Sequence, residues 1–132
     1  MTFTYNSGNT VVNDQRQHNT TYNYEPMGKV ISVVNANGVT VGNMGYTSNY
    51  DMNSFQDGLT NTTAMNYSTD GYNNLTSTSD GNNVTSSLSY PTNGVQPYYP
   101  TGSKDSQTNS SAYVYDTSGN VKSSINAMCK YC

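Results

Sequence analysis

Apolar and polar positions alternate along much of the chain, in runs too short for helices. In Asn83-Val84-Thr85-Ser86-Ser87-Leu88-Ser89-Tyr90, Val84, Ser86, Leu88 and Tyr90 share one face. In Ala112-Tyr113-Val114-Tyr115 the tyrosines face one way and Val114 the other, the period that a pleated strand imposes. No stretch of helical length carries a helical apolar stripe. The single helical expectation is a short terminal helix over Ser123–Tyr131. Between the alternating runs sit clusters of Asn, Asp, Gly and Ser, which favour turns. The pattern predicts an all-β chain of tandem antiparallel β-hairpins forming a repetitive, open or coiled sheet.

The turns recur. A Tyr, a polar turn carrying Gly and a β-branched run appear together at Tyr5-Asn-Ser-Gly8, Tyr24-Glu-Pro-Met-Gly28 and Tyr67-Ser-Thr-Asp-Gly71. They appear again at Tyr90-Pro-Thr-Asn-Gly94 and Tyr115-Asp116-Thr-Ser-Gly119, while Tyr50-Asp51 begins alike but lacks the Gly. Gly8, Gly28, Gly71, Gly94 and Gly119 are the expected left-handed positions. A second turn class lies between them, at Asn37-Gly38, Asp57-Gly58 and Asp80-Gly81. These dipeptides predict type I′ hairpin turns. Each interval between the anchors Tyr5, Tyr24, Tyr50, Tyr67, Tyr90 and Tyr115 is expected to hold two strands and two turns.

Residues 1–90 read as hairpin repeats, and 110–132 as a last repeat with a cysteine-containing tail. Between them, 91–109 reads as an insertion or long loop, because Pro91, Pro97 and Pro100 cannot donate to a central ladder. Tyr98 and Tyr99 in that loop are candidate contact residues.

Composition sharpens this picture. Of 132 residues, 20 are Asn, 18 Thr and 17 Ser, whereas Leu, Ile, Val and Phe together number 18. So few aliphatics make a thin core, and neighbouring sheet is expected to complete the burial, from more repeats of the same chain or from identical subunits through sheet edges. Charged residues are 10% and the net charge is -3. Disorder needs high net charge as well as low hydrophobicity, and only the second is met. There is no basic patch for nucleic acid and no run long enough for a membrane span. Residues 1–6 lack the basic and apolar regions of a secretory signal, as expected of a chain beginning inside a longer protein.

The stretch Tyr115-Asp116-Thr117-Ser118-Gly119-Asn120-Val121-Lys122-Ser123-Ser124 resembles a YD repeat, the unit of the Rhs family. Tyr24 to Gly38 resembles a whole unit, with Tyr-Glu for Tyr-Asp. Asp57 to Tyr67 and Asp80 to Tyr90 resemble its second half. The resemblance covers most of the chain, with uneven units and an insertion outside the pattern. It implies a secreted or cell-surface β-rich protein whose hairpins coil into a shell around a toxin domain or form an adhesive surface. The family's self-cleaving Asp-Pro-x-Gly segments have no counterpart here, so no catalytic residue is carried over.

Other chemistry finds little support. His18 lies in a polar stretch without a nucleophile motif. Cys129 and Cys132 are a lone C-x-x-C, open between a disulfide or intersubunit link, inert thiols and, least favoured, metal or redox work. Zinc there lacks two further ligands. Asp51, Asn53 and Asp57 lack the Gly and closing Glu of a calcium loop. Asn19, Asn61, Asn66, Asn74, Asn83 and Asn109 begin Asn-x-Ser/Thr sequons and are candidate glycosylation sites, several of them expected by chance. No cofactor and no metal are expected.

The leading expectation is a non-enzymatic structural segment of a secreted or cell-surface Rhs/YD-repeat protein, part of a shell wall or adhesive surface. Its partners would be further repeats, an enclosed toxin domain or surface glycans. The alternatives are a self-assembling extracellular fibre subunit and, third, a carbohydrate-binding β-module using Tyr98 and Tyr99.

Overall fold

The computed structural model describes residues 1–92 and 96–127. Twelve strands are present among them and no helix. They are β1 (Thr2–Asn6), β2 (Asn9–Asn13), β3 (Asn19–Tyr24), β4 (Val30–Val34), β5 (Thr40–Tyr46) and β6 (Met52–Asp57). β7 (Thr62–Tyr67), β8 (Leu75–Ser79), β9 (Thr85–Ser89), β10 (Gly102–Lys104), β11 (Ser110–Tyr115) and β12 (Val121–Ala127) complete the series. Two compact units divide the chain, Met1–Ala64 and Met65–Cys132. In each, strands pair with their neighbours in sequence and the described pairs are antiparallel. The chain is all-β and built of tandem hairpins. Each expected interval between tyrosine anchors holds two strands.

Register explains why the sheet is amphipathic. In the first unit Tyr22 lies opposite Thr10 and Val33, and Met44 opposite Phe55. The other face carries a row of amides and hydroxyls: Asn9 opposite Asn23, Asn23 opposite Ser32, Ser32 opposite Asn43, and Asn43 opposite Gln56. Asn23 Nδ2 donates to Ser32 Oγ at 2.9 Å, and Gln56 Nε2 to Thr62 Oγ1 at 3.3 Å. The second unit repeats the device where Asn66 Nδ2 donates to Ser77 Oγ at 3.0 Å. Cross-strand pairs of this kind are the units of sheet stabilisation. They account for a chain so rich in Asn, Ser and Thr.

Among the described residues no hydrophobic side chain is buried. The buried positions are Gly42, beneath the Phe55 ring, and Asn74. Backbone ladders, turns and half-buried tyrosines therefore hold each unit together, in place of an interior.

Three expectations need correction. Ser123–Ala127 is strand rather than helix, because Ser124 pairs with Tyr113 and Ile125 with Ala112 along β11. A nine-residue helix is marginal without packing, whereas a ladder partner was at hand. The loop within 91–109 is shorter than expected. The chain rejoins the ladder at Gly102, opposite Ser89 and Ala112, and residues 105–109 form an ordinary turn. Strand β10 has only three residues, too few for alternation to be legible. Lastly, the turns at Asn37-Gly38, Asp57-Gly58 and Asp80-Gly81 are not type I′, as their hydrogen bonds make plain.

Candidate functional site

Among the described residues eight turns share one backbone geometry, starting at Asp14, Glu25, Asn35, Thr47, Asp57, Asp80, Asp105 and Asp116. In each, the first residue's N–H donates to the carbonyl four residues on. The N–H three residues on donates back to the first residue's carbonyl, and all these bonds are 2.8–3.1 Å. The left-handed residue is always the fourth: Gln17, Gly28, Gly38, Tyr50, Thr60, Asn83, Thr108 and Gly119. This is the three-residue hairpin loop, a type I turn followed by one left-handed residue. Gly58 and Gly81 are not left-handed, since Thr60 and Asn83 occupy that place. Type I′ needs two positive φ angles, and these turns have one.

The side chain of the first residue explains the choice. Oδ1 of Asp14, Asn35, Asp57, Asp80, Asp105 and Asp116, and Oγ1 of Thr47, accept from the amides two and four residues on, at 2.7–3.2 Å. Such caps favour the type I start. Asn61 and Asn109 add side-chain bonds to Asp57 and Asp105 at 2.9 and 2.8 Å. These hydrogen bonds hold the Asp57 and Asp105 carboxyls below the ordinary value of 3.8, the side-chain amide being the largest cause. Asp14 and Asp116 are lowered chiefly by the backbone amides of His18 and Asn120. Glu25 is the exception. Its extra methylene carries the carboxylate past the turn, and Oε1 is buried without a partner.

Alternate turns of an antiparallel ladder fall at opposite ends. In the first unit Asp14, Asn35 and Asp57 start the turns of one end, and in the second unit Asp80 and Asp105 do so. Turns on one end are separated by two strand spacings, about 9.5 Å. The opposite end belongs to tyrosine. Tyr24, Tyr46, Tyr67 and Tyr115 each close a strand immediately before the turn. Tyr46 O–H donates to Val30 O at 2.8 Å and Tyr115 O–H to Pro100 O at 2.9 Å. The Tyr24 hydroxyl meets that of Thr10. At Tyr24, Tyr46 and Tyr115 the register shifts by one residue, leaving Ile31, Asn53 and Lys122 as bulges.

Tyr46 was missed in the sequence, where Tyr50 stood as the third anchor. Tyr50 instead occupies the left-handed corner at φ 66°. The missed signal was the distance: Tyr24, Tyr46, Tyr67 and Tyr90 are nearly evenly spaced. Tyr5 is the fourth residue of β1, before the two-residue Ser7-Gly8 turn, and Tyr90 follows β9. Burial raises the Tyr90 phenol pKa above 10.0. Gly8, Gly28, Gly71 and Gly119 have φ of 85–91°, as expected; Gly94 lies outside the described residues.

Contacts join neighbouring turns along the tyrosine end within each unit. Lys29 Nζ lies 4.8 Å from the centroids of both the Tyr46 and Tyr50 rings, a cation–π clamp. In the second unit Asn74, 8% exposed, donates from Nδ2 to Pro97 O at 2.7 Å. Tyr98 meets Tyr72 edge-on, and Tyr99 stacks on Tyr115 at 5.2 Å. Gln96 Nε2 donates to Asp116 O at 2.8 Å. A Cβ on Gly119 would come within 3.0 Å of the Tyr99 ring, so Gly makes room there for that ring and also suits the left-handed φ. The described part of the loop carrying Tyr98 and Tyr99 is thus stitched to turns on both sides.

His18 closes the first capped turn, with Nδ1 3.5 Å from Asp14 Oδ2. Asp57 spends its oxygens on Leu59 and Asn61. Among the described residues no three His, Cys, Asp or Glu gather as a metal site. A groove of about 340 Å³ on β8–β10, lined by Leu75, Thr78, Leu88 and Ser103, has one acid, Asp105, which is occupied by its own cap.

Of the sequons, Asn74 is buried and bonded, whereas Asn83 stands exposed at the corner of its turn. Asn61 and Asn109 cap their own turns, Asn66 bonds Ser77, and Asn19 accepts from Asn13. Cys129 and Cys132 lie outside the described residues. Among those described, no helix is long and apolar enough to cross a membrane.

No family model matches the chain, and no curated protein matches it.

Proposed function

We propose that this chain is a structural repeat segment, a length of hairpin wall from a secreted or cell-surface protein of the Rhs/YD-repeat kind, without enzymatic activity. The observation that carries the reading is one capped turn geometry, recurring along strands that bury no apolar side chain among the described residues. Repeat units that cannot complete their own burial gain stability from neighbours. Tyr24, Tyr46 and Tyr115 each end a strand with a turn directly after it, an order that supports likening them to the Tyr of a YD unit. Neighbouring repeats would cover the aromatic face. An enclosed toxin domain or a glycan surface would be the functional payload of such a wall.

Two copies of the chain fused in tandem test this reading. The fusion is expected to unfold at a higher denaturant midpoint than the single chain, and an unchanged midpoint would sink the repeat reading. Antibody labelling of intact producing cells tests the location, surface signal being expected. The fibre alternative draws on the uncharged edge strand β1, and filaments under negative stain would favour it over a wall segment.

A further inference from the structure

Strand β1, Thr2-Phe3-Thr4-Tyr5-Asn6, is exposed along its whole length and has neither charge nor Pro. Those are the usual devices that keep an edge from pairing. Its rings are unusually open, with Phe3 52% and Tyr5 78% exposed. They stack on one face, 6.5 Å apart and 13° from parallel. The backbone decides which groups are free. The two-residue turn is closed by Asn6 opposite Asn9, with Thr4 opposite Val11 and Thr2 opposite Asn13. In an antiparallel ladder hydrogen-bonded pairs alternate with non-bonded ones. Asn6, Thr4 and Thr2 therefore turn their amides and carbonyls toward β2, and Phe3 and Tyr5 turn theirs outward.

We infer that β1 is a self-complementary edge that pairs two copies of this chain antiparallel about a two-fold axis at Thr4. The inference rests on the structural-repeat reading and names one partner for it. About that axis Phe3 lies opposite Tyr5 of the second copy, and Tyr5 opposite its Phe3. The outward N–H and C=O groups of Phe3 and Tyr5 meet as hydrogen-bonded pairs, four bonds in all by this alternation. Thr4 meets Thr4, and Thr2 meets Asn6, on the opposite face. Aromatic rings meet aromatic rings, and hydroxyls and amides meet their like, as in the interior ladders. The interface is isologous, so it closes at two copies instead of growing. One strand a side is small for a protein interface, which makes the dimer weak and dependent on concentration.

The test is sedimentation of the full 132-residue chain over a concentration series. The expected result is a mass rising from 14.3 kDa toward twice that value. Tyr5→Pro removes an outward amide that β2 does not use, a substitution an edge strand tolerates. It should weaken the dimer at least about tenfold, two donors being lost per dimer.

A second variant fixes the register. With Cys129 and Cys132 changed to Ser, Thr4→Cys should yield a disulfide-linked dimer on mild oxidation, since non-bonded pairs place Cα atoms about 4.5 Å apart. Thr2→Cys should not, its copies standing about 13 Å apart. A constant monomer mass, or equal cross-linking from both positions, would overturn the inference. Far-UV circular dichroism separates the two failures. A strand-rich monomer removes the dimer alone, and a coil spectrum removes the repeat reading with it.

Discussion

At the scale of single residues, stability resides in the atom that starts each turn. Asp and Asn place an oxygen two bonds beyond Cβ, and Thr places one directly on it, in reach of two amides. Glu25 overshoots them. Glu25→Asp is therefore expected to raise stability by about 1 kcal/mol, read as a shift in the urea midpoint. The same caps set the response to acid. Asp14, Asp57, Asp105 and Asp116 have carboxyl pKa values below the unfolded value of 3.8. Their contribution is present in full above 3.8 and is lost as pH falls through the lower folded-state values. The thermal midpoint should fall in that acid window, and less steeply in an Asp57→Asn, Asp105→Asn double variant, which keeps the Oδ1 acceptor for the turn amides, gives up the Oδ2 acceptor that meets Asn61 and Asn109, and does not titrate. Asp and Gly identified where turns lie, but not their type. Thr60 and Asn83 hold the left-handed corner that Gly58 and Gly81 were expected to fill. A cap that binds two amides outweighs the local strain of a non-glycine corner.

At the scale of elements, the repeating unit is a strand with its turn, and two of them return the chain to the same end. The tyrosines mark that return because a ring closing a strand can send its hydroxyl to the backbone of the previous one. Tyr46→Phe deletes the bond to Val30 O and is expected to cost about 1 kcal/mol, measured by denaturant titration. Tyr50→Phe should be nearly silent, since the ring that faces Lys29 is retained. A reversed order would return the anchor to Tyr50. The hairpin rhythm was legible in the sequence because turn residues and Tyr recur along it. β10 was not, and the register of Tyr46 was obscured by the Tyr50-Asp51 pair beside it. The pattern Tyr-Asp looks like an anchor there, while Thr47 already caps the turn.

At the scale of the whole molecule, composition made a thin core the expectation. Among the described residues the outcome goes further, with no buried hydrophobic side chain at all. The first unit has an aromatic face that includes Tyr22, Met44 and Phe55, backed by a row of amides and hydroxyls. That division was not legible in the sequence, because Asn and Tyr placements become faces only when register fixes which residues lie opposite. A sheet held by local turns and neighbouring strands has no single cooperative interior, so stability should vary along it as in a one-dimensional array.

Native-state hydrogen exchange resolved by residue tests this claim most directly. Protection should be graded, highest in interior strands such as β3–β5 and lowest in β1 and β12. Protected turn amides, those of Leu59, Asn61, Gln107 and Asn109 among them, should be lost together when Asp57 and Asp105 are protonated. One uniform block of protection across all strands, unfolding as a unit, would contradict it.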